Sequence, residues 1–297
     1  MADILIPTVA QGLMWALMAL GVYITFRVLD IADLSVEGSF PLGAAVAATA
    51  LVSGYGVTAA FLLAAVAGAL AGIVTGILTT KLKIPPLLAG ILTMIGLYSV
   101  NLHVMGKANV ALLRVDTVFS YAAGMGLTSD MAMMAVGLVG VMLVGVILYW
   151  FFGTELGCSL RATGANQHMA RAQGINTNVT IVLGLMVSNG LVALAGGLLS
   201  QYQGFSDINM GRGAIVIGLA AVIIGEVIFG KIFRNFALKL TAAVIGAIIY
   251  YIVMNFVLRM GLSTDDLKLL TALVVAVQRL RKLPTSLVPM PLSERGG

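Results

Sequence analysis

Apolar runs of about twenty residues, separated by short polar breaks, follow one another from Ile4 almost to the C-terminus. A bilayer core is crossed by roughly 17 to 25 such residues in a helix. Backbone placed in hydrocarbon must also satisfy its own hydrogen bonds, which a helix does within one segment. Windows of suitable length fall at 4–26, 38–54, 57–80, 86–105, 130–152, 177–202, 213–230, 236–259 and 264–281. The expected fold is all-α, a polytopic membrane protein of about nine transmembrane helices. The second and seventh windows are the weakest.

Composition agrees. The 297 residues are 60% hydrophobic and 10% charged, with a mean hydropathy of +1.06, whereas soluble domains carry about a quarter charged residues. Met1 to Phe26 reads as the first span and not as a secretory leader. Asp3 stands where a basic segment would be, the apolar run is too long, and no small-residue cleavage site follows. The lone Cys158 excludes an intramolecular disulfide and a cysteine-rich metal site. The net charge of +5 would suit nucleic acid, but in a membrane protein excess Lys and Arg mark cytoplasmic loops. No nucleic-acid partner is expected.

A polar interruption between two long apolar runs spans Thr154 to Asn176. It has its own helical core, Ala165 to Gln173, bounded by Gly164 and Gly174, and a passive connector has no need of this length. It reads as a docking element for a cytosolic partner. Placing it in the cytosol assigns every other loop. The inside set then holds Arg27, Lys81, Lys83, Arg161, Arg171, Lys231, Arg234, Lys239, Arg279, Arg281, Lys282 and Arg295, and the outside set only Lys107, Arg114, Arg212, Arg259 and Lys268. This asymmetry predicts an external N-terminus and a cytosolic C-terminus. Residues 1–283 form the transmembrane domain, with the loop at 153–176, and the proline-containing stretch 284–297 is expected to be a disordered cytosolic tail. The external segment Gly106 to Asp130 is read either as a loop on the membrane surface or as the landing place of an extracellular protein.

Val36-Glu37-Gly38-Ser39-Phe40-Pro41-Leu42-Gly43 and Gly211-Arg212-Gly213-Ala214-Ile215-Val216-Ile217-Gly218 share a Gly-x4-Gly spacing, and each opens a short span. The assigned topology makes the two spans run in opposite directions, the pattern of an inverted repeat flanking a transport path. Small residues such as Gly68, Gly72 and Gly76, and the run Ala195-Gly196-Gly197, form faces on which neighbouring helices can approach closely.

Polar residues inside the spans are the candidate path. Asp30, Asp33 and Glu37 follow Arg27 at spacings that put all four near one helical face, either as a self-paired interface helix or as a gate or partner contact. Glu226 lies deep in the seventh window, where a carboxylate is expensive and normally faces the bundle interior or a wet cavity. It is expected to line the path or to pair across a subunit interface. Ser188, Asn189, Gln201, Gln203, Asn255, Asn101 and His103 are milder candidates, with interhelical hydrogen bonding as the other reading of each amide. Glu37, Ser39, Asn189, Gln201 and Glu226 form the candidate path set. Trp15 and Trp150 are expected at membrane interfaces. No G-x-x-x-x-G-K-[ST] loop occurs, since Gly106-Lys107 continues to Ala108 and Gly230-Lys231 to Ile232. The chain is not expected to hydrolyse ATP, and His103 and His168 lack metal-ligand spacing.

Arg161-Ala162-Thr163-Gly164-Ala165-Asn166, followed by Ala170-Arg171-Ala172-Gln173-Gly174-Ile175-Asn176, resembles the cytoplasmic coupling segment of ABC importer permeases of the branched-chain amino acid and ribose type. Leu29-Asp30-Ile31-Ala32-Asp33-Leu34-Ser35-Val36-Glu37-Gly38-Ser39-Phe40 looks especially like the subgroup labelled tryptophan/tyrosine transport permeases, although the chain has one span fewer than the ten-span sugar permeases. The resemblance implies a non-catalytic permease of the prokaryotic plasma membrane that imports a small polar solute, an amino acid or related metabolite. Its partners would be a cytosolic ATPase that binds ATP and Mg, an extracytoplasmic binding protein and a second permease copy. No cofactor is implied in this chain. Arg161, Gly164, Ala165, Asn166, Gln167, Met169, Ala170, Arg171 and Gly174 would meet the ATPase, and a bulky residue at Ala170 would uncouple it. Arg161 and Arg171 are read equally as topology anchors. The rival is an ion-coupled secondary transporter using Glu226.

Overall fold

The apolar windows become helices close to their expected bounds. The structure is a computed structural model and describes residues 2–113, 115–124, 126, 128–230 and 235–259. The ninth window, 264–281, and the tail from 284 lie outside the described residues. The chain opens with α1 (Ala2–Tyr23), passes into a π-helical turn at Ile24–Val28, and unwinds before α2 (Val36–Val52). Then come α3 (Val57–Thr80), α4 (Pro86–Met105), β1 (Asn109–Ala111), α5 (Val118–Gly124) and α6 (Ser129–Gly153). The segment Thr154 to Asn176 forms α7 (Glu155–Ala165) and α8 (Gln167–Ala172), and α9 (Thr177–Gln203), β2 (Phe205–Asp207), α10 (Ala214–Phe229) and α11 (Phe236–Arg259) complete the described chain. Among the described residues, six helices are long and apolar enough to cross a membrane, and α2 and α10 are shorter apolar helices.

The bundle is organised around α9, which packs on α1, α2 and α3. Small side chains make this possible, because they let backbones meet directly. On α3, a Cβ added to Gly68 would overlap the Asn189 carbonyl, and one on Gly72 the Leu185 carbonyl. On the other side of α9, Gly196 lies against the Phe40 carbonyl and Gly43 of α2 against Ala193. The expected small-residue face is thus a helix-to-helix seam.

A larger apolar core joins α1 to α6, α10 and α11. Trp15 sits within it, 8% exposed, stacked between Phe40 at 5.2 Å and Tyr251 at 5.7 Å between centroids. It is therefore not the interface anchor expected from the sequence, because it lies on the face of α1 that meets α2 and α11. Trp150, at 71% exposure, remains on the surface.

The segment after α4 pairs with the segment after α9. β1 and β2 form an antiparallel ribbon with Asn109 opposite Asp207 and Ala111 opposite Phe205. Hydrogen bonds from Leu112 N to Gly204 O (2.8 Å) and from Ile208 N to Ala108 O (3.1 Å) extend it. The ribbon end also receives the C-terminal half of α2, where Ala45 to Leu51 cluster with Val110, Leu112 and Ile208. α10 runs the other way, since Glu226 near its end pairs with Arg27 of the π-helical turn. The two short helices start beside each other: Gly213 N donates to Glu37 Oε1 at 3.1 Å, and Gly211 abuts the Glu37 carbonyl.

Gly72→Leu should force α3 away from α9 and destabilise the bundle by about 1–3 kcal/mol. Gly96→Ala should be neutral, because nothing lies within 4 Å of the position a Cβ would take. Thermal midpoints in detergent, read by size-exclusion chromatography, check both.

Candidate functional site

The docking segment is two helices and not the single helix expected over Ala165 to Gln173. The break falls at Asn166, whose backbone is extended (φ −162°, ψ 106°) and whose Oδ1 accepts from His168 N (3.0 Å) and Met169 N (3.1 Å). An Asn that caps the next helix favours this break over continuation. Gly164 does not bound the helix as expected. It lies inside α7, where any Cβ would overlap the Val28 carbonyl, so α7 is pressed onto the π-helical turn. Leu160 and Thr163 are both 1% exposed, and the Thr163 and Thr180 hydroxyls meet at 2.8 Å, which fixes α7 to α9. Gly174 takes a left-handed conformation (φ +81°) that ends α8, as glycine does at helix C-termini.

The outward surface of this element is small and weakly polar. Ala165, Asn166, Gln167 and His168 are exposed, and Met169 projects with 66% exposure. Ala170 is only 3% exposed and faces inward, so a bulky side chain there would disturb the seating of α8 and not a partner. Both arginines are engaged within the chain. Arg171 Nε donates to Thr177 Oγ1 at 2.6 Å. Arg161 reaches Cys158 Sγ at 3.2 Å and lies over the Phe236 ring at 5.6 Å. Arg27, Arg161 and Lys239 line a cleft of about 320 Å³ beside α7.

Arg27, Asp30, Asp33 and Glu37 do not share one helical face, because the helix stops at Val28 and Asp30 takes φ +56°. Each has a separate setting. Arg27 pairs with Glu226, and their side chains are 40% and 32% exposed. Asp33 is buried in a network that the sequence reading missed: its Oδ1 accepts from Ser35 N (2.9 Å) and Ser35 Oγ (2.5 Å), and its Oδ2 from Asn189 Nδ2 (2.8 Å). The Asp33-x-Ser35 spacing just before a helix is an Asx-turn signature that could have revealed it.

The candidate path residues are not gathered at one point. Asn189 is in the Asp33 network, and Ser39 is fully buried with no partner for its Oγ among the described residues. Gln201 Oε1 accepts from Val118 N at 2.9 Å and so holds the start of α5. Asn101 donates to Gly38 O at 3.3 Å, and Ser188 to Gly21 O at 2.8 Å. His103 Nδ1 is 2.7 Å from Ser99 O on its own helix. Glu37 lines a cleft of about 390 Å³ between α2, α4 and residues 208–212, with Tyr98, Ser99, Asn101, Asn209 and Arg212. Arg212, expected in an external loop, is at this helix junction.

Residues 4–278 match the family described as branched-chain amino acid transport system, permease component. The chain belongs to this family. The permease is 41% identical over 271 residues to the "Tyrosine transport system permease protein" of Clostridioides difficile, covering 91% of this chain and 88% of that one. It is 36% identical over 277 residues to an uncharacterized protein of Rickettsia prowazekii, covering 93% and 96%. A more distant relative, 29% identical over 71% of this chain and 58% of its own, is an autoinducer 2 import system permease protein of Yersinia pseudotuberculosis. No solved structure matches the permease. It is a multi-pass protein of the bacterial inner membrane and a transport subunit.

Asn189→Ala leaves a buried Asp33 oxygen without its donor, at a cost of about 1–3 kcal/mol. Exposed Asn178→Ala should stay within about 0.5 kcal/mol of the parent. Unfolding midpoints of the two variants, measured side by side, provide the comparison.

Proposed function

We propose that the permease is the membrane subunit of an ATP-driven, binding-protein-dependent importer and that it carries an amino acid, with L-tyrosine as the first substrate to try. The observation that carries the mechanism is the α7–α8 element, a short exposed helix with Met169 at its surface, mounted on a second helix that is clamped to the bundle. Such an element suits docking into a cleft of a cytosolic ATPase, which would hold the ATP and Mg. This reading puts α7 and α8 in the cytosol, the β-ribbon outside for the binding protein, and the C-terminus inside after a ninth span. The substrate class is supported by the relative named for tyrosine transport.

Force from the closing ATPase pair would enter at α8 and pass through α7. Gly164 transmits it to Val28 and the π-helical turn, and Thr163 to α9. The Arg27–Glu226 pair also joins the turn to α10, but a partly exposed ion pair is too weak to carry this coupling. The two oppositely directed short helices with adjoining starts support an inverted repeat around the path. A second copy of the chain would complete the translocation unit. Glu226 has no ion-coupling role here, since its carboxylate is already paired and near α10's end.

Two outcomes follow. Affinity purification of the tagged permease from its host should recover a Walker-motif ATPase, and Met169→Asp should remove it at least about tenfold while the permease keeps its elution volume. Recovery of the same ATPase yield with Met169→Asp would refute docking at α8. Glu226→Gln should keep uptake within about threefold of the parent, because a partly exposed ion pair contributes about 1 kcal/mol or less; abolition of uptake would favour ion coupling.

A further inference from the structure

We infer that the cleft between α2, α4 and residues 208–212 is a subsite for a zwitterionic amino acid, with Glu37 and Asn101 receiving the ammonium group and Arg212 the carboxylate. The inference rests on the amino-acid permease reading and locates the place where the solute is held. The volume of about 390 Å³ falls in the range of small-molecule sites.

Three observations support it. Asn101 is 1% exposed and lines the cleft; its Nδ2 is committed to Gly38 O, while its Oδ1 is buried without a partner. Buried polar atoms are rarely left in this state, and here the missing group is a donor. Glu37 spends one oxygen on Gly213 N at 3.1 Å, and its other oxygen has no hydrogen bond among the described residues. Arg212 lines the same cleft, and no carboxylate among the described residues forms an ion pair with it.

Opposite charges in one cleft that do not pair with each other suit a ligand that carries both signs. A neutral sugar would leave both unmatched. The two charges also hold equivalent places in the sequence. Glu37 precedes Gly38 of one Gly-x4-Gly segment as Arg212 precedes Gly213 of the other, and each stands at the start of a short apolar helix. Asn209 and Ser99 add polar lining near the charges, and Met94 and Ile95 offer apolar surface for a side chain.

The test is equilibrium binding of tritiated L-tyrosine to the full-length permease in nanodiscs, competed by tyramine, which lacks the carboxylate, and by 3-(4-hydroxyphenyl)propionate, which lacks the ammonium. The parent should prefer tyrosine to either analogue by at least about tenfold. Arg212→Gln should weaken tyrosine to the level of tyramine and leave tyramine unchanged. Glu37→Gln keeps an acceptor for Gly213 N and should weaken tyrosine to the level of the acid. Absence of tyrosine binding in the parent, or unchanged preference in both variants at unchanged elution volume, would overturn the subsite. ATP-dependent uptake by the assembled system separates the two readings: uptake of tyrosine equal in parent and both variants removes the subsite alone, whereas ATP-driven uptake of a sugar but of no amino acid removes both.

Discussion

The start of the short helix α2 depends on one buried carboxyl group. Asp33 receives hydrogen bonds from Ser35 N, Ser35 Oγ and Asn189 Nδ2, which ties the unwound segment after the π-helical turn to the middle of α9. Without such donors, irregular backbone inside a bundle would leave polar groups unsatisfied in a medium with no water to replace them. With them, the chain can stop one helix at Val28 and restart another at Val36. That restart puts Glu37 beside Gly213 and brings the beginnings of α2 and α10 together.

The same fixed point links the two ends of the molecule. α9 carries Asn189 to the network, Thr180 to α7, and Gln201 to the start of α5. Its seam with α3 is made by backbone meeting backbone at glycines, so α3 and α9 form a rigid pair. In the proposed mechanism, displacement at α8 is therefore passed on and not absorbed.

Much of the bundle was legible in the sequence because length and apolarity determine spans. α3 and α4 begin and end where their windows do, and the weak second and seventh windows proved to be the short helices α2 and α10. What was not legible depends on tertiary partners. Helical spacing suggested that Arg27, Asp30, Asp33 and Glu37 form one face, but the chain bends at Asp30, leaves that residue exposed and sends Arg27, Asp33 and Glu37 to different neighbours. Gly164 was expected to bound the short helix, yet it lies inside α7 and permits close contact with Val28. Asn166, which does break the helix, carried a capping signal that was overlooked. Trp15 gave no sign that Phe40 and Tyr251 would enclose it.

In the proposed mechanism, movement of solute through this permease is driven by ATP hydrolysis on a partner docked at α7 and α8. The most direct measurement is uptake of labelled tyrosine into proteoliposomes that hold the permease and its ATPase, with the binding protein outside and ATP inside. Accumulation should require ATP and persist when proton and sodium gradients are collapsed by ionophores. Accumulation that follows an imposed ion gradient, and proceeds with the permease alone, would contradict this mechanism.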